Sequence, residues 1–261
     1  MATTQYFQPL DRPRLAYSKR QATGAMERRA GVIFMGGFRS DMEGTKALFL
    51  DEWAGERGRS YLRFDYSGHG SSDGAFEDLC LGDWIADARD MVRMMTTGPQ
   101  VVVGSSMGGW IALHAALALP HAVRGLVGIA AAPDFTEDLM WAEFSDEIRA
   151  QIMETGVYHE PSEYSDEPYA ITRLLIEDGR KHLLLRAPIP LDIPVRLLQG
   201  MKDADVPWER ALKLAGAIAH DDVRVTLLKG GDHRLSTPED LDLLAATLDE
   251  VCAAVDARHG G

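Results

Sequence analysis

Two adjacent serines lie among glycines in residues 101–110, VVVGSSMGGW. Gly104, Ser106 and Gly108 match the pattern G-x-S-x-G, in which Ser105 occupies the first variable position. An aliphatic run precedes the match and an apolar helical pattern follows it, as in a nucleophile elbow. There a strained turn lifts the serine hydroxyl into the site, and glycines avoid clashes on either side. We predict Ser106 as the nucleophile, against the simpler interpretation of a glycine-rich turn with a capping serine.

A serine nucleophile needs a general base, and the base needs an acid that orients it. In elbow-type folds the chain order is Ser, Asp or Glu, then His. Of the eight histidines, His233 alone combines this order with a position after the last predicted strand. Asp203 follows the strand predicted at 195–200 and is the preferred acid. Asp205, which could instead cap the next helix, and Asp134, which follows the preceding strand, are the alternatives.

The oxyanion formed during attack needs two backbone N–H donors. One belongs to Met107, directly after the nucleophile, at the positive end of the following helix. The other should come from the turn after an early strand. Gly36 and Gly37 allow close backbone approach in such a turn, so we assign the second donor to Phe38. The competing interpretation of this turn is ordinary strand-to-helix packing.

Apolar strands alternate with helical patterns along most of the chain. This alternation predicts an α/β fold with a mostly parallel, doubly wound sheet and helices on both faces. The first 20 residues predict an antiparallel hairpin. We predict strands at 31–37, 61–68, 100–106, 123–131, 195–200 and 223–231, and helices at 42–58, 81–95, 109–119, 208–219 and 238–257.

The alternation stops at residues 134–194, which are rich in acids, Met, Trp, Tyr and Pro. This segment has a helical stretch at 143–156 and no clear strand, and it is too long for an ordinary loop. We predict a helical cap over the carboxyl edge of the sheet, where ligands bind in such folds. The core would then comprise residues 1–133 and 195–261.

We expect substrate selection to lie in this cap. Met140, Trp141 and Phe144 are candidates to line an acyl pocket, although Met and aromatic residues at helical spacing also form plain core. Arg39, beside the predicted oxyanion turn, is a candidate to meet a carboxylate of a substrate. A solvated surface arginine is the competing interpretation.

Composition narrows the partners. The chain has 261 residues and a net charge of −13, which disfavours nucleic acid and anionic membrane surfaces. Cys80 and Cys252 fit neither a zinc site nor a disulfide framework. No apolar run reaches the roughly 18 residues of a membrane span, and the N-terminus lacks a targeting pattern. We therefore expect a cytoplasmic protein that needs no metal or organic cofactor; its oligomeric state is not predicted.

Four separated motifs together resemble the α/β-hydrolase superfamily. They are GGF at 36–38, DYSGHGSSDG at 65–74, GSSMG at 104–108, and GMKDADVP at 200–207 with GGDH at 230–233. The resemblance covers nearly the whole chain. It implies the fold of that superfamily, a structural role for the 65–74 loop, and a serine triad at the predicted positions.

Longer stretches resemble a narrower group, at 37–47, 63–74, 101–113 and 128–141. They are similar to the abhydrolase-domain palmitoyl-protein thioesterases, a group also described as mycophenolic acid acyl-glucuronide esterases, and their bacterial relatives. The resemblance implies hydrolysis of a small-molecule acyl ester or thioester, with Ser106, Asp203 and His233 as the triad. Carbon–carbon bond hydrolases and perhydrolases keep the same triad and are alternatives. A non-catalytic module that binds a small ligand is a third.

Overall fold

A computed structural model describes residues 3–161 and 168–259 of the chain. Strands and helices alternate along most of it, as predicted from the sequence. The strands are β1 (Gln5–Phe7), β2 (Leu15–Arg20), β3 (Gly31–Met35), β4 (Tyr61–Phe64), β5 (Gln100–Ser105), β6 (Val123–Ile129), β7 (Val157–Glu160), β8 (Tyr169–Thr172), β9 (Val195–Gly200) and β10 (Val223–Leu228). The α-helices are α1 (Thr45–Arg57), α2 (Leu81–Met95), α3 (Met107–Ala118), α4 (Asp146–Thr155), α5 (Arg173–Gly179), α6 (Glu209–Ala217) and α7 (Pro238–His259).

Eight of these strands form one sheet in the order β1-β2-β4-β3-β5-β6-β9-β10. The hairpin of β1 and β2 is antiparallel, β2 pairs antiparallel with β4, and the pairs from β4 to β10 are parallel. The central strands β3 and β5 are buried along their whole length, which their nearly continuous aliphatic sequence explains. The predicted α/β-hydrolase fold class, with its opening hairpin, is confirmed.

Helices cover both faces of the sheet. Apolar residues of α2, α3 and α6 pack on one face around Trp84 and Trp110. Residues of α1 and α7 pack on the other face around Trp53. Helix α3 follows Ser106 directly and is apolar around its whole circumference, so it is buried almost throughout. Its first turn is thereby held rigidly at the carboxyl edge of the sheet.

Several strands end earlier than the sequence pattern predicts. The strand expected at 31–37 ends at Met35, and the one expected at 61–68 ends at Phe64. The remaining residues of each motif leave the sheet at its carboxyl edge and form loops. These loops are the ones that carry the glycine turn and the 65–74 motif, so both motifs begin where sheet pairing stops.

The expectation of no strand within residues 134–194 is wrong. Strands β7 and β8 form an antiparallel hairpin, with Val157 opposite Thr172 and Glu160 opposite Tyr169. Each strand has only four residues, too few to show an alternating pattern.

The predicted helix of the segment is present as α4. Ser145 caps it by accepting the N–H of Ile148 at 3.3 Å, and it ends at Gly156 with φ 91°. Its Ile152 packs with Phe144, Ile171 and Ile176 in a hydrophobic cluster of this segment, here called the insertion cluster. Among the described residues, no helix has the length and apolarity that crossing a bilayer requires.

Candidate active site

Ser106 lies at the sharp turn between β5 and α3. Its backbone has φ 54° and ψ −120°, a region that non-glycine residues rarely adopt. A Cβ on Gly104 would lie 2.4 Å from the carbonyl oxygen of Gly108, and one on Gly108 would lie 2.0 Å from that of Met35. Glycine is therefore required at both positions because backbone occupies the space a side chain would need.

The side chains of Ser106, His233 and Asp203 form one hydrogen-bonded chain. His233 Nε2 lies 3.1 Å from Ser106 Oγ, and His233 Nδ1 lies 2.9 Å from Asp203 Oδ2. The Asp203 side chain is fully buried, whereas Ser106 is half-buried and so has access to solvent. The structure thus brings together three residues that the sequence separates by up to 127 positions.

Close contact between two loops makes this convergence possible. A Cβ on Gly200, at the end of β9, would lie 2.4 Å from the carbonyl oxygen of Gly231 in the loop after β10. The N–H of Lys202 donates to that same carbonyl at 2.9 Å. The loops after these neighbouring strands therefore lie against each other, which carries His233 to Asp203.

The loop that carries His233 has its own anchors. Asp232 Oδ1 accepts the N–H groups of Arg234 at 3.0 Å and Leu235 at 2.9 Å. The Lys46 ammonium group on α1 donates to the carbonyl of Arg234. Burial, followed by the charge of Arg234, lowers the pKa of Lys46 to about 8. These contacts fix the backbone on both sides of the imidazole.

Asp203 accepts four hydrogen bonds. Its Oδ1 accepts the N–H groups of Asp205 at 2.9 Å and Val206 at 2.8 Å. Its Oδ2 faces His233 and also accepts from Gln199 Nε2 at 2.8 Å. Sequence reasoning missed Gln199. The available signal was a polar residue directly after two leucines in a buried strand, four positions before the acid.

The alternative acids have different surroundings. Asp205 is exposed, and its Oδ2 lies 3.9 Å from His233 Nδ1, beyond hydrogen-bonding distance. Asp134 is fully buried, but it accepts the N–H groups of Leu184 at 2.7 Å and Leu185 at 2.9 Å. Asp134 therefore ties the start of residues 134–194 to their end.

The glycine turn after β3 abuts the elbow. A Cβ on Gly37 would lie 3.5 Å from Ser106 Cβ and 3.5 Å from the carbonyl oxygen of Ser105. The ring of Phe38, the next residue, packs among four aromatic side chains. The ring centroids around it lie at 5.1 to 6.0 Å, in edge-to-face arrangements, and belong to Phe76, Trp84, Phe135 and Tyr169. Met107, the other predicted donor, is the buried first residue of α3.

Comparison with known families agrees with the fold. A model of the family described as "Serine aminopeptidase, S33" matches residues 26–174, more than half of the chain. The chain belongs to the serine aminopeptidase S33 family. The family model and the relatives named below show that the chain is a hydrolase.

Several named proteins and solved structures are similar to this S33-family chain over most of its length. The human mitochondrial palmitoyl-protein thioesterase ABHD10 is 41% identical over 242 residues, which cover 92% of the chain and 77% of the relative. A putative hydrolase from Agrobacterium vitis has a structure that superposes with a TM-score of 0.92 at 42% identity, covering 97% of this chain and 99% of that one. The mouse α/β hydrolase domain-containing protein 10 gives 0.89 at 38% identity, covering 97% and 100%.

The predicted substrate-contacting residues of this S33-family chain lie in packed surroundings. Phe144 is buried in the insertion cluster, and Met140 and Trp141 pack against it. The Trp141 ring also lies under the guanidinium carbon of Arg180, at 4.8 Å from the ring centroid. Phe38 contacts the same cluster, so the glycine turn after β3 and residues 134–194 share a hydrophobic contact.

Arg39 has a backbone φ of 57°. Its guanidinium carbon lies 4.7 Å from the ring centroid of Phe76 and 5.8 Å from that of Tyr169. Cation–π contact on both sides places it between the core and the β7–β8 hairpin. Arg39 thus lies where it joins the glycine turn to residues 134–194.

Asp205 lies beside the hydrogen-bonded chain and interacts electrostatically with Glu160. Burial, together with the charges of Glu143 and Asp205, raises the pKa of Glu160 at the end of β7. One ligand atom each of Asp203, Asp205 and His233 lies within 4.8 Å of the others, a spacing that could hold a cation. The facing atoms of Asp203 and His233 are already hydrogen-bonded to each other.

The two thiols offer no rival nucleophile. Cys80 and Cys252 are both buried. Burial raises the pKa of each to about 12, so both stay protonated at neutral pH.

Proposed function

We propose that this hydrolase cleaves carboxylic esters or thioesters of acyl chains through an acyl-enzyme on Ser106. The hydrogen-bonded chain from Ser106 through His233 to Asp203 is the observation that carries the proposal. Support for an acyl ester or thioester substrate comes from the relatives named as palmitoyl-protein thioesterases.

In the first step His233 Nε2 takes the proton of the Ser106 hydroxyl as Oγ attacks the carbonyl carbon of the substrate. The tetrahedral oxyanion accepts hydrogen bonds from the N–H groups of Phe38 and Met107. The amino-terminal end of α3 stabilises the negative charge of the oxyanion, since the amides of its first turn point toward the elbow. Collapse of the intermediate expels the alcohol or thiol, which takes the proton from His233.

In the second step water attacks the acyl-enzyme, and His233 again accepts and returns a proton. Asp203 holds Nδ1–H and so keeps Nε2 as the acceptor that faces Ser106. The four donors around Asp203 fix the direction of its carboxylate. The chemistry uses no metal ion, so we expect turnover to be unchanged by a chelator.

Substrate contact by Met140, Trp141, Phe144 and Arg39 is part of this proposal. Their position beside the oxyanion turn supports it, because Phe38 contacts the insertion cluster and Arg39 follows Phe38 directly. An acyl chain would then extend from the elbow toward the apolar residues of the insertion.

Ser106→Ala tests the proposal, with Ser105→Ala as the matched control on the neighbouring serine. We expect Ser106→Ala to lower kcat by roughly 10⁶-fold on acyl esters and thioesters of graded chain length, while folding normally. A fluorophosphonate probe should label the wild type and Ser105→Ala but not Ser106→Ala. Retained turnover or labelling in Ser106→Ala would refute the nucleophile.

A further inference from the structure

Gln199 is a fully buried amide at the end of β9. Its Nε2 donates to Asp203 Oδ2 at 2.8 Å and to the carbonyl oxygen of Val206 at 3.1 Å. The first acceptor is the same oxygen that faces His233 Nδ1 at 2.9 Å. The amide therefore contacts the acid on the atom through which that acid holds the imidazole.

The orientation of the amide follows from chemistry. An ionised carboxylate can only accept, so the NH₂ group and not the oxygen must face Asp203. This leaves Gln199 Oε1 buried and without a hydrogen-bond partner among the described residues. An unsatisfied buried carbonyl destabilises the folded state, and a methionine of similar shape would avoid that penalty. Packing alone does not account for an amide here.

We propose that Gln199 is a positioning residue, which directs Asp203 Oδ2 toward His233. This inference rests on the proposed function, because it assigns Asp203 and His233 their roles. Two backbone N–H groups fix Oδ1, but only Gln199 and His233 donate to Oδ2 among the described residues. Without the Gln199 donor, the carboxylate can rotate about its own axis, and the imidazole loses its fixed direction.

Gln199→Met removes the donor and keeps the length of the side chain. The matched control is Gln100→Met on β5, since Gln100 is also a buried amide, and its Nε2 donates to the carbonyl oxygens of Thr97 at 2.9 Å and Gly98 at 3.3 Å. Gln100 lies at the amino end of its strand, opposite the elbow. Both variants lose amide hydrogen bonds, but only one loses contact with Asp203.

We expect Gln199→Met to lower kcat by roughly tenfold or more, with KM changed less than twofold. Its melting temperature should be no lower than that of Gln100→Met. The far-downfield proton resonance of His233 Nδ1–H should shift or broaden in Gln199→Met and stay in place in Gln100→Met. Wild-type kcat in a folded Gln199→Met, or an equal loss in Gln100→Met, would overturn the proposal.

Gln199→Glu is the second variant. Burial beside Asp203 favours the protonated form of a glutamic acid, whose O–H can then donate to Oδ2. We expect its kcat to exceed that of Gln199→Met and to lie within about tenfold of wild type. A folded but inactive Gln199→Glu would overturn the donor role, also in the case that Gln199→Met does not fold.

Failure of this inference and failure of the proposed function give different results. If Ser106→Ala is inactive and unlabelled while Gln199→Met keeps wild-type kcat, only the positioning role is wrong. If Ser106→Ala keeps its activity, the proposed function itself is wrong, whatever the Gln199 variants do.

Discussion

Asp203 and Asp134 are two aspartates at the same edge of the sheet whose side chains are fully buried. Each follows a parallel strand: Asp203 lies three residues after β9 and Asp134 five residues after β6. Each side chain is shielded from solvent and accepts two backbone N–H groups. They differ in their side-chain donors, which are His233 and Gln199 for Asp203 and Arg186 for Asp134.

The difference shows that burial and position do not identify a catalytic acid. Both carboxylates have the donors that a buried charge requires. The donors of Asp134 come from Leu184, Leu185 and Arg186, at the far end of the insertion, so its charge holds that segment closed on itself. Of the two, only Asp203 contacts a histidine, and the other ring nitrogen of that histidine lies 3.1 Å from Ser106 Oγ.

Asp203→Asn should give the largest effect in this comparison. An asparagine can present N–H rather than an acceptor to His233 Nδ1, which turns the imidazole into the wrong tautomer for accepting the Ser106 proton. We expect kcat to fall by about 10⁴-fold, with fluorophosphonate labelling slowed in parallel. A folded Asp203→Asn with near wild-type kcat would remove Asp203 from the triad.

Asp134→Asn should act on stability instead. One carboxylate oxygen is replaced by NH₂, which then faces a backbone N–H of Leu184 or Leu185 and leaves it unpaired. We expect the free energy of unfolding in urea to fall by about 1–3 kcal/mol. In the folded variant, kcat per labelled site should stay within about threefold of wild type, since a change away from the reacting groups leaves the transition state intact. A thousandfold loss of kcat there would make Asp134 the better candidate for the acid.

Asp138→Asn should give the smallest effect, and it depends on pH. Hydrogen bonds from Arg186, opposed by burial and supported by Arg210, hold the pKa of Asp138 well below its ordinary value of 3.8. A carboxylate whose pKa is lower in the folded than in the unfolded protein stabilises the folded state at pH values above its unfolded-state pKa. This stabilisation is lost as the pH falls through the pKa of the folded state. Above pH 4 we expect the free energy of unfolding of the wild type to exceed that of Asp138→Asn by at most about 1 kcal/mol. Below pH 4 this difference should shrink. A constant difference from pH 7 to pH 3 would contradict the assignment.

The elbow and the alternation of strands and helices along the chain were predictable because local patterns encode them. Gly104, Ser106 and Gly108 directly follow an aliphatic strand, and each of the other predicted core strands also ends in a loop at one edge. The hairpin of β7 and β8 was not predictable, since four-residue strands are too short for periodicity. The predicted division into a core and a 134–194 cap stays a prediction.

The choice among acids was only partly predictable. Asp203, Asp205 and Asp134 all follow strands at one edge, and sequence does not tell which way each side chain points. The direction of Asp203 depends on the Asp205 and Val206 amides and on Gln199, contacts that form only when the loop after β9 closes. A buried glutamine before a catalytic loop is informative only once its partner is known.

The backbone of Ser106, held at φ 54° and ψ −120°, stores strain at the residue that we propose as the nucleophile. Stability and activity therefore favour different residues at this position. Ser106→Gly would relieve the backbone strain but would also remove the hydroxyl group of the proposed nucleophile. Selection for stability alone would favour the replacement of Ser106 and so the loss of the proposed activity. Improvement of such a molecule has to be sought in distant parts of the fold.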